Sequence, residues 1–347
     1  MGLIKIIKRK ASTFDGIIRP LANGKWDYFV IAMDYLYCRY FLRVPKDEYL
    51  KYNFHNLKHR YRKNFILQKD RDKFINVNTN AFTKSKYVFY SYIPDLFKRE
   101  VILAPFCGEA QFVEFLKKHQ KIVAKPDRGS LGKGLEVVKY TDDEAAKAYF
   151  AGITSERPFI CEEFIKQHPV LSQLNPASVN TLRIVSLLQD DEVEIVAAIL
   201  KTGMGDDNIT DNLSLGGIGA QVDVATGIVC TFGKDFHFQT FTHHPYSGVP
   251  ILGLQIPHWD QAIALIKEAH KRLPQCMIYG WDIAITETGV DIVEANSKPG
   301  TRIMQVMDGI PKGQKILPLI KKDRLKDKRK EYLDAFLKDY NTISLGQ

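Results

Sequence analysis

Gly280-Trp281-Asp282-Ile283-Ala284-Ile285-Thr286-Glu287-Thr288-Gly289-Val290-Asp291-Ile292-Val293-Glu294-Ala295-Asn296-Ser297-Lys298-Pro299-Gly300 is the stretch on which the fold turns. It reads as two short apolar strands joined by a turn around Gly289. Asp282 lies on the first strand, Glu294 and Asn296 on the second. Residues two apart on a strand share a face, so Glu294 and Asn296 project together and a hairpin brings Asp282 beside them. Two carboxylates and an amide oxygen, with no Cys or His, form a hard-oxygen cluster. Such clusters suit magnesium, which keeps waters and binds substrate phosphates. The plainer alternative is a hairpin with solvated polar residues, but that does not ask for acids inside apolar strands followed by Asn-x-x-Pro-Gly.

Upstream, Ile122-Val123-Ala124-Lys125-Pro126-Asp127-Arg128-Gly129-Ser130-Leu131-Gly132-Lys133-Gly134 leads into Leu135-Glu136-Val137-Val138. A strand ends in a lysine, a glycine-rich loop follows, and a second strand returns. Small residues let backbone N–H groups approach phosphate oxygens, and lysine supplies charge. This is not a Walker A loop, because Asp127 and Gly134 stand where that pattern needs Gly and Ser or Thr. Taken alone, the loop is equally a plain hairpin turn. A third element, Pro158-Phe159-Ile160-Cys161-Glu162-Glu163-Phe164-Ile165, is an apolar strand ending in two acids and two apolar residues.

Strand-lysine, glycine loop, acid-acid-apolar strand end and oxygen cluster, in that order, resemble the ATP-grasp superfamily. Its fold is α+β, with ATP clamped between two α+β subdomains. The resemblance runs from about Lys84 to Gln314, roughly two thirds of the chain. Ser178-Val179-Asn180-Thr181-Leu182-Arg183-Ile184 and Asn212-Leu213-Ser214-Leu215-Gly216-Gly217-Ile218-Gly219-Ala220 look like the sugar-transfer-associated branch, which accompanies polysaccharide biosynthesis and is related to the D-alanine–D-alanine ligases. The resemblance implies a role for each matching residue. Lys125 would contact the ATP phosphates, as would Lys84, with Lys86 an equally spaced competitor. Gly129 and the run Ser130 to Gly134, with Gly132 and Lys133, would cover the phosphates. Glu162, Glu163, Phe164 and Ile165 would form the adenine hinge, and either acid could face the nucleotide. Gln167 or His168 would lie near the ribose. Asp282, Glu294 and Asn296 would bind magnesium, two ions being expected. Arg183, Lys201 and Arg302 would serve the γ-phosphate and the carboxylate substrate.

The implied chemistry is ATP-dependent carboxylate–amine ligation. A carboxylate and an amine do not condense in water, but ATP converts the carboxylate to an acylphosphate. Phosphoryl transfer needs positioning and charge neutralisation more than covalent help. A bidentate arginine holds an acyl oxygen pair as lysine cannot, and a closing glycine loop keeps water away. The setting implied is the joining of an amino acid to a uronic acid or peptide of a bacterial surface polysaccharide. A free dipeptide or amide ligase, a kinase acting on a hydroxyl, and a non-catalytic scaffold are the alternatives. Arg183 could equally cap a surface, Lys201 end a solvated strand, and Arg302 sits at a helix start, where a cation opposes the dipole unless an anion partners it.

At 347 residues, with 45% apolar content, the chain is long enough for a large core and two domains. We expect a basic helical region over 1–80, then a catalytic region over 81–347, with its nucleotide-loop subdomain at about 105–160 and its metal and substrate subdomain at about 166–320. Helices are expected over Asp27 to Arg43, Lys46 to Phe65, Gln111 to His119, Asp142 to Ala151 with Thr141 as cap, Asp260 to Arg272, and Leu317 to Tyr340. Five dispersed cysteines without a CxxC pair, and a basic start without a long apolar core, point to a reducing cytoplasm. The net charge of +9 is uneven: residues 1–80 hold 17 Lys and Arg against 7 Asp and Glu, so the remainder nets −1. That segment also carries Trp26, Tyr28, Phe29, Tyr35, Tyr37, Tyr40 and Phe41. Two readings stay open for it: a solvated helical domain whose aromatics are core, or a surface for anionic lipid that places the protein at the inner face of the membrane. Nucleic acid is not expected as a partner.

Overall fold

A computed structural model describes residues 13–56, 62–67, 70, 85–129, 134–205, 211–237, 239–321, 331 and 334. Two antiparallel sheets organise them. The smaller is built from β1 (Val101–Ala104), β2 (Lys121–Pro126), β3 (Glu136–Lys139) and β4 (Phe159–Glu163), in the order β1-β4-β2-β3. The larger holds β5 (Thr181–Gln189), β6 (Glu192–Thr202), β7 (Ile218–Val222), β8 (Gly233–Lys234), β9 (Thr240–Phe241), β10 (Ile278–Thr286) and β11 (Gly289–Asn296), in the order β11-β10-β5-β6-β7-β8-β9.

The helices are α1 (Lys25–Tyr40), α2 (Lys46–Lys51), α3 (Lys86–Tyr92), α4 (Glu109–His119), α5 (Asp143–Ala151), α6 (Pro169–Ser172), α7 (Trp259–Arg272), α8 (Ile303–Val306) and α9 (Gly313–Lys321). On the small sheet, α4 and α5 bury Phe112, Phe115, Leu116 and Ala146 against Ile122, Ala124 and Cys161. Cys161 is thus a small core residue. The large sheet is covered on both faces. One face packs on α3 and α7 through Val88, Phe89, Ala262, Ile266 and Ala269. The other packs on α8 and α9 through Met304, Met307 and Ile316. A third cluster joins α1 and α2 to α8, where Tyr35, Cys38, Tyr49 and Phe54 meet Val306.

Three sequence expectations shift. The helix expected from Lys46 to Phe65 stops at Lys51, because Asn53 turns into the left-handed region at φ 53°. The cap of α5 is Asp142, not Thr141: its Oδ1 accepts from Ala145 N at 2.8 Å. The last helix starts at Gly313, and its expected length to Tyr340 lies almost entirely outside the described residues. The turn at Gly289 is as expected, with φ 147° and Thr286 opposite Gly289.

Candidate functional site

The hairpin β10–β11 places Asp282 directly across from Glu294. A bulge follows: Ile283 pairs with Ile292, which leaves Val293 extra. Consecutive Val293 and Glu294 therefore both line the cleft, while Ile292 stays in the core. Asn296, two residues on, donates from Nδ2 to Glu294 Oε1 at 3.0 Å.

Strand pairing brings the cations to the same spot. Arg183 on β5 is the other cross-strand neighbour of Asp282. Its Nε and Nη2 donate to Oδ1 and Oδ2 of Asp282 at 2.7 and 2.8 Å, a bidentate pair. Lys201 on β6 lies 3.2 Å from Asp282 Oδ1 and 3.3 Å from Asp211 Oδ1. Asp211 also accepts from Thr181 N at 3.0 Å. The result is a buried alternation of charge: Asp211, Lys201, Asp282, Arg183. Burial opposes ionisation of Asp282, yet the Arg183 and Lys201 charges hold its carboxyl far below the usual range. Burial likewise works against a charged Lys201, and Asp211 and Asp282 outweigh it and raise its affinity for the proton.

The small sheet supplies the opposite wall. Lys125 ends β2 with its Nζ 2.8 Å from Glu162 Oε2. Glu162 is buried, and its second cation is Arg99, whose Nε lies 3.1 Å away. Arg99 continues to Asp291 on β11 at 2.8 Å and donates to the Ile292 carbonyl. Burial disfavours the Glu162 charge, but Arg99 and Lys125 keep its proton affinity below the ordinary value. Glu162 and Glu163 thus separate. Glu162 grips Lys125 and Arg99, while half-exposed Glu163 accepts from Glu100 N at 3.3 Å. Phe164 and Ile165, past the strand end, line the cleft, and Lys121 Nζ stands 3.4 Å from the centroid of the Phe164 ring.

Lys86 opens α3 and donates to the carbonyls of Pro126, Asp127 and Gly129 at 2.9, 3.2 and 3.4 Å. It pins the start of the glycine segment. Burial, then the neighbouring Lys125 charge, lowers its proton affinity. Lys84, Ser130, Gly132 and Lys133 lie outside the described residues. Gly129 (φ 154°) and Gly134 (φ 76°) flank that gap in backbone suited to glycine.

Lys86, Lys125, Gly129, Glu162, Glu163, Phe164, Ile165, Arg183, Lys201, Asp282, Glu294 and Arg302 all line one cleft of about 1290 Å³ between the sheets. His168 does not. Its Nδ1 accepts from Val170 N at 3.2 Å, capping α6, and its N donates to Ile285 O. Gln167 lines the cleft, but its amide is committed to the carbonyls of Asn175 and Ser178. Arg302 stands at the α8 start with the anionic partner its position requires, Asp47 at 3.0 Å. That partner comes from α2, which also sends Glu48 and Lys51 into the cleft lining. Lys51 Nζ stands 3.7 Å from the Phe236 ring centroid. Arg99, Asp211, Lys51 and Phe236 were not singled out from sequence. Lys98-Arg99-Glu100 reads as a solvated charge run, and Asp211 lies in a polar loop, so neither carries a local signal.

The donor set fits magnesium in chemistry, being hard oxygens from two neighbouring strands: Glu294 and Asp282 line the cleft with lysines across it, and both Asp282 oxygens already accept from Arg183. Among the described residues no group of three His, Cys, Asp or Glu is arranged to hold a metal. The third oxygen donor here is the Asn296 amide.

The model of the sugar-transfer associated ATP-grasp family matches residues 107–315. The chain belongs to that family, and its two α+β halves are the ATP-grasp fold. No curated protein matches the chain at a significant level. Among solved structures it is similar to the ATP-grasp ligase PsnB in complex with a minimal precursor, at 12% identity over 67% of this chain and 57% of that one, with a TM-score of 0.40. The D-alanine–D-alanine ligase of Bacillus anthracis shares 15% identity over 80% of each chain, TM-score 0.43. The phosphoribosylamine–glycine ligase of Thermotoga maritima shares 12% over 72% and 57%, TM-score 0.47. The chain spans little more than half the length of PsnB. No helix among the described residues is long and apolar enough to cross a membrane.

Proposed function

We propose that this chain is an ATP-dependent carboxylate–amine ligase, forming an amide through an acylphosphate. Its setting is the attachment of an amino acid to a uronic acid or peptide of a bacterial surface polysaccharide, at the inner face of the membrane. One observation carries this reading. Lys86 and Lys125 from one side, and Arg183, Lys201, Asp282 and Glu294 from the other, converge on a single cleft. Lysines beside a glycine segment suit nucleotide phosphates, and a guanidinium suits a carboxylate or phosphate.

In this reading Lys125 and Lys86 neutralise phosphate oxygens, and Gly129 to Gly134 covers them and excludes water. Asp282, Glu294 and Asn296 would hold magnesium, which when bound adds positive charge at the phosphates. Arg183, fixed by Asp282, presents its remaining N–H groups to the acyl oxygens. Lys201 tunes that pair from behind, and Arg302 binds the carboxylate substrate at the α2 end of the cleft. Phe164 and Ile165 offer the apolar hinge for adenine; Glu162 orients Lys125 instead of meeting the base.

The test is ADP release screened across amino acids and uronic acids, with products weighed by mass spectrometry. Loss of one water from the summed substrates marks an amide. Gain of phosphate on a hydroxyl identifies a kinase and overturns the ligase reading.

A further inference from the structure

Helix α1 is apolar on both sides. Its inward face buries Ile31, Ala32, Tyr35 and Cys38. Its outward face carries Trp26, Phe29, Val30, Met33, Tyr37 and Tyr40, spaced three or four residues apart, and Phe41 follows at its end. Trp26 is 77% exposed, Tyr40 72% and Phe41 78%, with the others between 43% and 55%. Two pairs stack within the stripe: Trp26 on Phe29, with centroids 5.9 Å apart, and Tyr37 on Phe41 at 5.5 Å. A contiguous stripe of this kind is not what an isolated soluble surface shows.

The chemistry around the stripe selects its occupant. Lys25, Arg39, Arg43 and Lys46 are exposed beside it and pair with no carboxylate among the described residues. The nearby acids have partners of their own: Asp15 pairs with Arg19 at the surface, Asp27 accepts from Asn23 N at the helix start, Asp34 meets Arg62 and Tyr49, and Asp47 meets Arg302. The sequence before α1 adds Lys5, Lys8, Arg9 and Lys10. The stripe itself is aromatic, and Trp and Tyr join an apolar ring to a polar tip, which suits the boundary between acyl chains and headgroups. A basic rim around an aromatic face fits an anionic bilayer.

We propose that α1 lies in the plane of an anionic membrane with this stripe inserted among the headgroups. This rests on the membrane setting given above but assigns the contact to apolar insertion, not to charge alone. It also brings α2, and with it the Asp47–Arg302 end of the cleft, next to the bilayer.

The test mixes the full chain with vesicles of phosphatidylglycerol and phosphatidylcholine. Trp259 and Trp281 are buried, so a change of tryptophan emission on vesicle addition reports Trp26. The expected result is co-sedimentation with a blue shift, and a bound fraction that survives about 0.5 M NaCl, where exposed charges are screened. Trp26→Ser with Phe29→Ser should lower partitioning by about tenfold or more, while leaving ADP release on water-soluble substrates unchanged, since neither residue lines the cleft. No blue shift, or full release by salt, overturns insertion. So does a wild-type dimer in light scattering that the double variant turns into a monomer, because a second copy then covers the stripe. Failure of every carboxylate to support ADP release would sink the ligase reading and leave the vesicle result standing.

Discussion

Arg183 and Asp282 meet through two parallel hydrogen bonds, which only a planar guanidinium makes with a carboxylate. Lysine at this position would keep one charge and lose the fork. We therefore expect Arg183→Lys to lower ADP release nearly as far as Arg183→Ala, each by about 100-fold or more. Full activity in the lysine variant would reduce Arg183 to a generic charge. Glu294 has a different burden. It lines the cleft and accepts from Asn296, and among the described residues no cation pairs with it as Arg183 does with Asp282. Glu294→Gln should shift the magnesium dependence of ADP release to higher concentration, by about tenfold. An unchanged magnesium titration would remove it from the metal site.

At the scale of elements, the end of β2 and the start of α3 are one piece, because Lys86 ties the helix start to the carbonyls of Pro126, Asp127 and Gly129. Lys125, at the end of β2, is the group expected to meet phosphate. Lys125→Ala should weaken nucleotide binding by about tenfold or more in calorimetry. Equal affinity would leave the glycine segment a plain turn. The strands behind this piece were legible, since β2, β4, β10 and β11 are apolar runs bounded by Gly, Pro and charge. Asp282 across from Glu294 was legible too, because a hairpin turn fixes register. The bulge at Val293 was not: one extra residue leaves no mark in an apolar run. Between Gln167 and His168 the sequence did not choose, since a histidine before proline looks the same as a cap or as a ligand; Gln167 lines the cleft and His168 caps α6. Arg99 was passed over because its two carboxylates, Glu162 and Asp291, are distant in sequence and adjacent only once both sheets have formed.

Over the whole molecule, Arg99 is where the two sheets are tied by charge. Arg99→Met would leave Asp291 buried without its cation, and we expect a loss of about 3–5 kcal/mol in urea unfolding. A loss under about 1 kcal/mol would show the tie to be incidental. Acid should loosen the same knots. The proton affinities of Glu162 and Asp282 are depressed in the folded state, so their contribution is complete above the ordinary carboxylate range, about pH 4. It declines as pH falls from there toward their lower folded values. Thermal unfolding followed by circular dichroism should show the midpoint dropping below about pH 4, with little change of this origin between neutrality and that point. A further consequence attaches to α2. Because Glu48 and Lys51 stand in the cleft wall and Asp47 holds Arg302, the amino-terminal part is not an accessory that could be traded freely. We expect a chimaera that grafts this part from a relative to take on the donor's choice of substrate, with the Lys86 and Lys125 end of the cleft unchanged.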